Sequence, residues 1–108
     1  MKALVIPFAA AAGLMLATGV HAADAKAAEA LAKASGCMTC HTAEKKLIGP
    51  SFKDIAAKNR ASKGAEALLI KHVKEGSKGI WGEIPMPPNA HVKDPDIKTL
   101  VQWILTLK

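Results

Sequence analysis

The clearest periodic pattern in the chain lies at its carboxyl end. Apolar residues recur there at helical spacing: Ile97, Leu100, Val101, Ile104 and Leu105. This spacing predicts an amphipathic helix with one buried face. Asp94-Pro95-Asp96 is a strong helix start, because proline suits the first helical position and acidic residues interact well with the positive end of the helix dipole. The helix must pack on another part of the chain.

Two helices are predicted before the middle of the chain. Asp24 to Ser35 is rich in alanine and other good helix formers, and Gly36 follows it in the position of a C-terminal cap. Pro50-Ser51 begins a second, short helix, in which Ser51 and Asp54 have the spacing of a capping box. One face of this helix carries three apolar side chains: Phe52, Ile55 and Ala56.

A third helix is predicted from about Ala65 to Glu75, with Gly76 at its end. Its apolar face contains Ala65, Leu68, Leu69 and Val73. No segment has the alternation typical of a strand, so the predicted fold class is all-α, with about four helices.

The segment from Ser77 to Lys93 separates the last two helices. It contains three prolines within four residues and no strand alternation, which predicts an irregular loop rather than a hairpin. Its apolar residues Trp81, Ile84 and Met86 argue against disorder. A loop of this length in so small a domain indicates a functional role.

The amino terminus has a different pattern. Residues 3–20 form a nearly uninterrupted apolar run behind Lys2, and Val20-His21-Ala22 resembles a cleavage site with small residues. We interpret residues 1–22 as a cleaved secretory signal peptide and residues 23–108 as one domain exported to a bacterial periplasm. The alternative is an uncleaved leader that tethers the domain to the membrane.

Composition adds two constraints. The mature chain keeps only Phe52, Trp81 and Trp103 as aromatic residues, so its own side chains can hardly fill a large core, and another group must contribute to it. Its 14 basic and nine acidic residues give a charge of +5. Because an exported protein does not meet nucleic acid, this charge favours a partner protein with an acidic surface. We expect a monomer without stable membrane insertion.

Cys37-Met38-Thr39-Cys40-His41 is the C-x-x-C-H signature of covalent attachment of haem. The two thiols add to the porphyrin vinyl groups, and the adjacent histidine becomes an axial ligand of the iron. Three alternatives fit the sequence less well. A thioredoxin-like site lacks the strand that normally precedes it, and a plain disulfide leaves His41 and the small core unexplained. A zinc site lacks a second ligand pair. Two cysteines predict one haem c.

The axial ligands can be argued from neighbouring residues. The second ring nitrogen of His41 needs an acceptor, and the carbonyl of Pro50 is the candidate. Met86 is the candidate sixth ligand, because prolines on both sides fix its backbone. Met38 lies within the attachment motif, His72 is a candidate contact of a haem propionate, and His91 has no supporting pattern.

Two further residues are candidates for haem contacts. The indole N–H of Trp81 needs an acceptor if it is buried, and a haem propionate is the obvious anion. Asn89 either donates to the Met86 thioether or braces the proline-rich loop, and the sequence does not separate the two roles.

Taken together, these residues resemble one family, the class I c-type cytochromes, and within it the short bacterial group typified by cytochrome c-551. Besides the C-x-x-C-H motif, the similarity rests on the segments 49–58, 76–82 and 84–89 and on Trp103. It implies crossing first and last helices, His41 and Met86 on opposite haem faces, Pro50 accepting from His41, and Trp81 bonding a propionate. Phe52 and Ala32 depart from the group's pattern, since relatives often have Tyr and an aromatic residue there. The expected consequences are a lost hydroxyl near a propionate and a less well packed helix crossing.

The function that the resemblance implies is one-electron transfer in a respiratory or denitrifying chain, without enzymatic activity. The alternative is a haem enzyme or gas sensor with an open or displaceable sixth position. Six lysines are candidates for a surface that attracts acidic partners: Lys45, Lys46, Lys53, Lys71, Lys74 and Lys78.

Overall fold

The computed structural model describes residues 22 to 108. Four α-helices follow one another in this range: α1 (Ala22–Ala34), α2 (Phe52–Asn59), α3 (Ala65–Glu75) and α4 (Asp94–Thr106). A short 3₁₀ turn, Cys37–Thr39, lies between α1 and α2, and no strand is formed between residues 22 and 108. The predicted all-α class is therefore confirmed. Residues 1–21 of the predicted leader lie outside the described residues. None of the described helices is long and apolar enough to cross a membrane.

Helix α4 is the centre of the fold. It packs against each of the other three helices, and its residues Ile97 and Val101 are completely buried. Leu100, Trp103 and Ile104 are also buried, while Leu105 is half-buried at the edge of the core. Full burial of one such aliphatic side chain stabilises a fold by about 1.5 to 3 kcal/mol. The predicted apolar stripe is the main packing surface of the molecule.

The contact between α1 and α4 uses small side chains. Ala28 and Ala32 of α1 are both completely buried in the core, and Leu31 packs against its edge. Alanine side chains let two helix backbones approach closely. Ala32, where relatives often have an aromatic residue, is fully buried at this contact. Gly36 follows α1 with a φ of 86°, as predicted for the residue that terminates the helix.

Helix α2 begins as its sequence predicts. The side chain of Ser51 accepts a hydrogen bond from the backbone N–H of Asp54 at 3.0 Å, and Ser51 itself is 1% exposed. This cap satisfies one of the backbone donors that the first helical turn leaves without a partner. Phe52 and Ala56 are buried, and Ile55 packs against the edge of the core.

Helix α3 has the predicted bounds, but one residue of its predicted apolar face is wrong. Ala65 and Leu69 are buried and Val73 is half-buried, whereas Leu68 is 45% exposed. The buried positions lie four residues apart along one narrow stripe, and Leu68 falls beside it. The spacing of apolar residues alone does not reveal how wide the covered stripe is.

The segment after α3 is irregular, as predicted, with one ordered feature that the sequence did not indicate. Ser77 and Met86 form an isolated antiparallel bridge, in which Ser77 N–H donates to Met86 O at 3.1 Å and Met86 N–H donates to Ser77 O at 2.9 Å. The chain therefore returns on itself between these residues. Farther along, Asn89 N–H donates to Val73 O at 3.0 Å and ties the segment to α3.

Candidate functional site

The C-x-x-C-H segment is shaped by the turn that follows α1. The N–H groups of Cys40 and His41 both donate to Cys37 O, at 3.2 and 3.0 Å, so the segment closes into a compact turn. Cys37 and Cys40 are half-buried with free thiols. Burial raises the pKa of the Cys37 thiol, because the low-dielectric surroundings disfavour a thiolate. Both sulphurs and the His41 ring line the same cleft.

That cleft is large and mainly apolar. It encloses about 1020 Å³ of space between protein atoms, including its open mouth. Its walls come from the C-x-x-C-H turn, the segment 48–55, α3, the loop after α3, and α4. The α3 and α4 walls consist of Leu69, His72, Val73, Leu100, Val101 and Ile104. An apolar cleft with two thiols and an imidazole at one wall fits a covalently attached haem.

His41 is oriented by a backbone hydrogen bond. The ring is 7% exposed, and its Nδ1 lies 2.7 Å from the carbonyl oxygen of Pro50. A carbonyl can only accept, so Nδ1 carries the proton and donates, which leaves the Nε2 lone pair available to a metal. This is the contact that the sequence predicts for Pro50.

Two neighbours of His41 were not identified as site residues from the sequence. A Cβ atom at Gly49 would lie only 2.7 Å from His41 Cε1, so only glycine leaves room for the ring. Phe52 stacks on the imidazole at 5.2 Å between centroids and contacts Trp103 edge-on at 5.5 Å. The resemblance predicts only a lost hydroxyl at Phe52, whereas the structure shows that its ring packs between His41 and Trp103. The only sequence signal for Gly49 is that it directly precedes Pro50.

Met86 is half-buried and lines the same cleft as His41. The bridge to Ser77 holds its backbone, and Asn89 holds the prolines that follow it. Asn89 Nδ2 donates to Val73 O at 3.1 Å and to Pro87 O at 3.2 Å. These two bonds occupy both amide hydrogens, which favours the bracing role of Asn89 over donation to the thioether.

Trp81 and Ile84 are more exposed than their apolar character suggests. Trp81 is 38% exposed and Ile84 66% exposed, and both line the mouth of the cleft. The Nζ atom of Lys58 lies 4.6 Å from the Trp81 ring centroid and 3.4 Å from Ile80 O. This cation–π contact stabilises the position of the indole ring, and the bond from Trp81 to a propionate stays a prediction.

The other candidate ligands have different surroundings. His72 is half-buried in the wall of the cleft, while His91 contacts Ser35 O at 3.0 Å, at the end of α1. Met38 packs against the core. Between residues 22 and 108 no group of three His, Cys, Asp or Glu side chains is placed to hold a metal ion.

The comparisons with known proteins agree with this site. The cytochrome c family model matches residues 25–108. Cytochrome c-551 of Pseudomonas aeruginosa is 48% identical over 91% of this chain and 90% of its own, and cytochrome c-551 of Stutzerimonas stutzeri is 44% identical over the whole of both chains. The crystal structure of Nitrosomonas europaea cytochrome c552 superposes with a TM-score of 0.72 at 51% identity, covering 74% of this chain and 99% of that one.

A family match over most of the chain, close relatives over nearly its full length and a cleft that begins at a C-x-x-C-H turn lead to one conclusion. The chain belongs to the cytochrome c family and is a class I, monohaem electron carrier with one covalently attached haem c.

Proposed function

We propose that His41 and Met86 are the two axial ligands of the haem iron, and that the protein transfers single electrons between partners of a respiratory or denitrifying chain in a bacterial periplasm. The observation that carries this proposal is the position of His41 and Met86 in one cleft, together with the two cysteines. When bound, the haem supplies an iron that accepts and returns one electron.

The residues around the cleft have complementary tasks in this proposal. Pro50 holds His41 in the tautomer with a free Nε2 and increases the basicity of the ring. The Met86 thioether, a soft ligand, stabilises the reduced iron and raises the potential. The apolar side chains of α3 and α4 keep water out, which limits the rearrangement that accompanies a change of charge.

The side chains that line the cleft distinguish an electron carrier from a haem enzyme. An enzyme needs an open iron position and a nearby acid or base. Outside the C-x-x-C-H motif, His72 is the one titratable side chain among the residues that line the cleft. The wall is otherwise apolar or proline-rich, so its composition supports a carrier that is not an enzyme.

The ligation is tested by visible spectra of the ferric protein. Iron bound by a methionine sulphur gives a weak band near the red end of the spectrum. We expect this band in the wild type and its loss in Met86→Ala. Met38→Ala is the matched control, because Met38 is the other methionine between residues 22 and 108 and packs against the core. A band that persists in Met86→Ala, or disappears in Met38→Ala, contradicts the proposal.

The proposed partners have acidic docking surfaces. Two of the six candidate lysines already form ion pairs, Lys53 with Glu44 at 3.2 Å and Lys74 with Asp94 at 3.0 Å. Among the described residues, the other four candidates are exposed and form no ion pair: Lys45, Lys46, Lys71 and Lys78. Such lysines raise the encounter rate with an acidic protein at low salt.

Salt and charge variants test the docking proposal. The electron-transfer rate with an acidic redox protein is expected to fall as ionic strength rises, because the Debye length shrinks to about 8 Å at physiological salt. Lys46→Gln, two residues from the cleft residue Ile48, should reduce the low-salt rate. Lys63→Gln, outside the cleft lining, should change it less. Equal effects of both variants, or a rate independent of salt, refute steering by the lysines near the cleft.

The periplasmic location depends on removal of the leader. Holoprotein purified from a periplasmic extract is expected to begin at Ala23, as measured by intact mass. Holoprotein that retains residues 1–22 in the membrane fraction contradicts the predicted cleavage.

A further inference from the structure

Gly76, the residue that ends α3, lies directly against the backbone of the Met86 segment. Its φ of 83° and ψ of 172° place it in a region of backbone conformation that is essentially restricted to glycine. A Cβ atom at this position would lie 2.6 Å from Met86 O, 3.1 Å from Pro88 N and 3.2 Å from Pro88 Cδ. The three nearest atoms are therefore backbone or proline ring, without a flexible side chain among them.

Hydrogen bonds at both ends of the segment from Met86 to Asn89 hold it against the end of α3. Met86 exchanges two hydrogen bonds with Ser77, the residue next to Gly76, at 2.9 and 3.1 Å. Three residues later, Asn89 binds Val73 O through its backbone N–H and its side-chain amide, at 3.0 and 3.1 Å. Pro87 and Pro88 lie between these attachments and have fixed φ angles. The segment cannot move away from α3 without losing some of these hydrogen bonds.

We propose that Gly76 is a positioning residue for the Met86 thioether. Because Gly76 has no side chain, the Met86 backbone can lie close to the end of α3. This close approach determines where the sulphur lies in the cleft. Ordinary contact of a Cβ atom begins at 3.4 Å, so an added methyl group displaces the Met86 carbonyl by about 0.8 Å if the helix end stays in place. Ligands of a functional site have to be held to within about 0.5 Å. This inference rests on the proposed ligation of iron by Met86.

The test compares two glycines at opposite ends of α3. Gly64 precedes the helix with a φ of 79°, and a Cβ there would meet nothing within 4 Å. Gly64→Ala therefore introduces a side chain at positive φ without contact to Met86. The assay titrates ferric holoproteins with imidazole, which competes for the sixth iron position, and follows the sulphur-to-iron band.

We expect Gly76→Ala to bind imidazole at least about tenfold more tightly than the wild type, corresponding to about 1.4 kcal/mol, and to show a weakened sulphur-to-iron band. Gly64→Ala should remain within about twofold of the wild type. An unchanged imidazole affinity and a full band in Gly76→Ala overturn the inference, as does an equal change in Gly64→Ala.

Two further variants keep the test decisive. Met86→Ala has to bind imidazole more tightly than the wild type, and if it does not, the proposed ligation fails rather than the role of Gly76. If Gly76→Ala does not accumulate as holoprotein, the double variant Gly76→Ala/Pro88→Ala replaces it, because the segment then has the freedom to yield to the methyl group. The double variant should bind imidazole at least about fivefold more tightly than Pro88→Ala alone. Equal affinities of these two proteins overturn the inference.

Discussion

Two adjacent leucines in α3 allow a sharp test of how the helix packs. Leu69 is 8% exposed and belongs to the core, whereas Leu68 is 45% exposed. Each methylene removed from a buried site costs about 0.8 kcal/mol in transfer alone. Leu69→Ala loses nearly all of the transfer free energy of the removed carbon atoms, and the cavity that remains adds a further cost. The free energy of unfolding should therefore fall by about 2 to 4 kcal/mol.

Leu68→Ala is the matched control, because it makes the same chemical change one residue away on the same helix. Because Leu68 is about half exposed, its truncation loses only about half of the transfer free energy of the removed methylenes and leaves no cavity. Alanine is also a slightly better helix former than leucine. Its expected cost is about 1 kcal/mol or less. Guanidinium unfolding of the three holoproteins, followed by far-UV circular dichroism, measures the difference. Equal losses in the two variants, or a larger loss in Leu68→Ala, refute the assignment of the buried face of α3.

Two other predictions follow from the cap of α2 and from the cleft. Ser51→Ala removes the bond to Asp54 N–H and should cost about 1 kcal/mol, which lowers the melting temperature by about 4 to 8 °C for a domain of this size; an unchanged melting temperature would show that the cap contributes nothing. Protein produced without haem should lose most of its helical circular dichroism, because the apolar side chains of the cleft then face water. Native-like helicity of the haem-free chain would contradict this prediction.

Those parts of the fold that depend on neighbouring residues were predictable from the sequence. The stripe on α4 identifies the buried face because its spacing matches one side of a helix over more than two turns. Ser51 and Gly36 predict the start of α2 and the end of α1 because a side-chain cap and a left-handed turn are local chemistry. In the same way the C-x-x-C-H motif, Pro50 and Met86 stand out as residues, and the structure places all of them around one cleft.

What the sequence could not provide are contacts between distant segments. The approach of Gly76 to Met86 and the stacking of Phe52 on His41 arise from tertiary packing, which leaves no periodic trace. Leu68 shows the same limit, because an apolar residue near the edge of a helical face is buried only if a neighbour covers it. The cation–π contact between Lys58 and Trp81 likewise joins two distant segments of the chain.

The central claim is that Met86 occupies the sixth coordination position of the iron in an electron carrier. Exposing the reduced wild-type holoprotein to carbon monoxide tests it most directly. An iron whose two axial positions are filled by His41 and Met86 should leave the visible spectrum unchanged under the gas, while Met86→Ala, measured in parallel, should shift to the spectrum of a carbon monoxide complex. Prompt binding of carbon monoxide by the wild type would show that the sixth position is open, and would favour a haem enzyme or gas sensor instead.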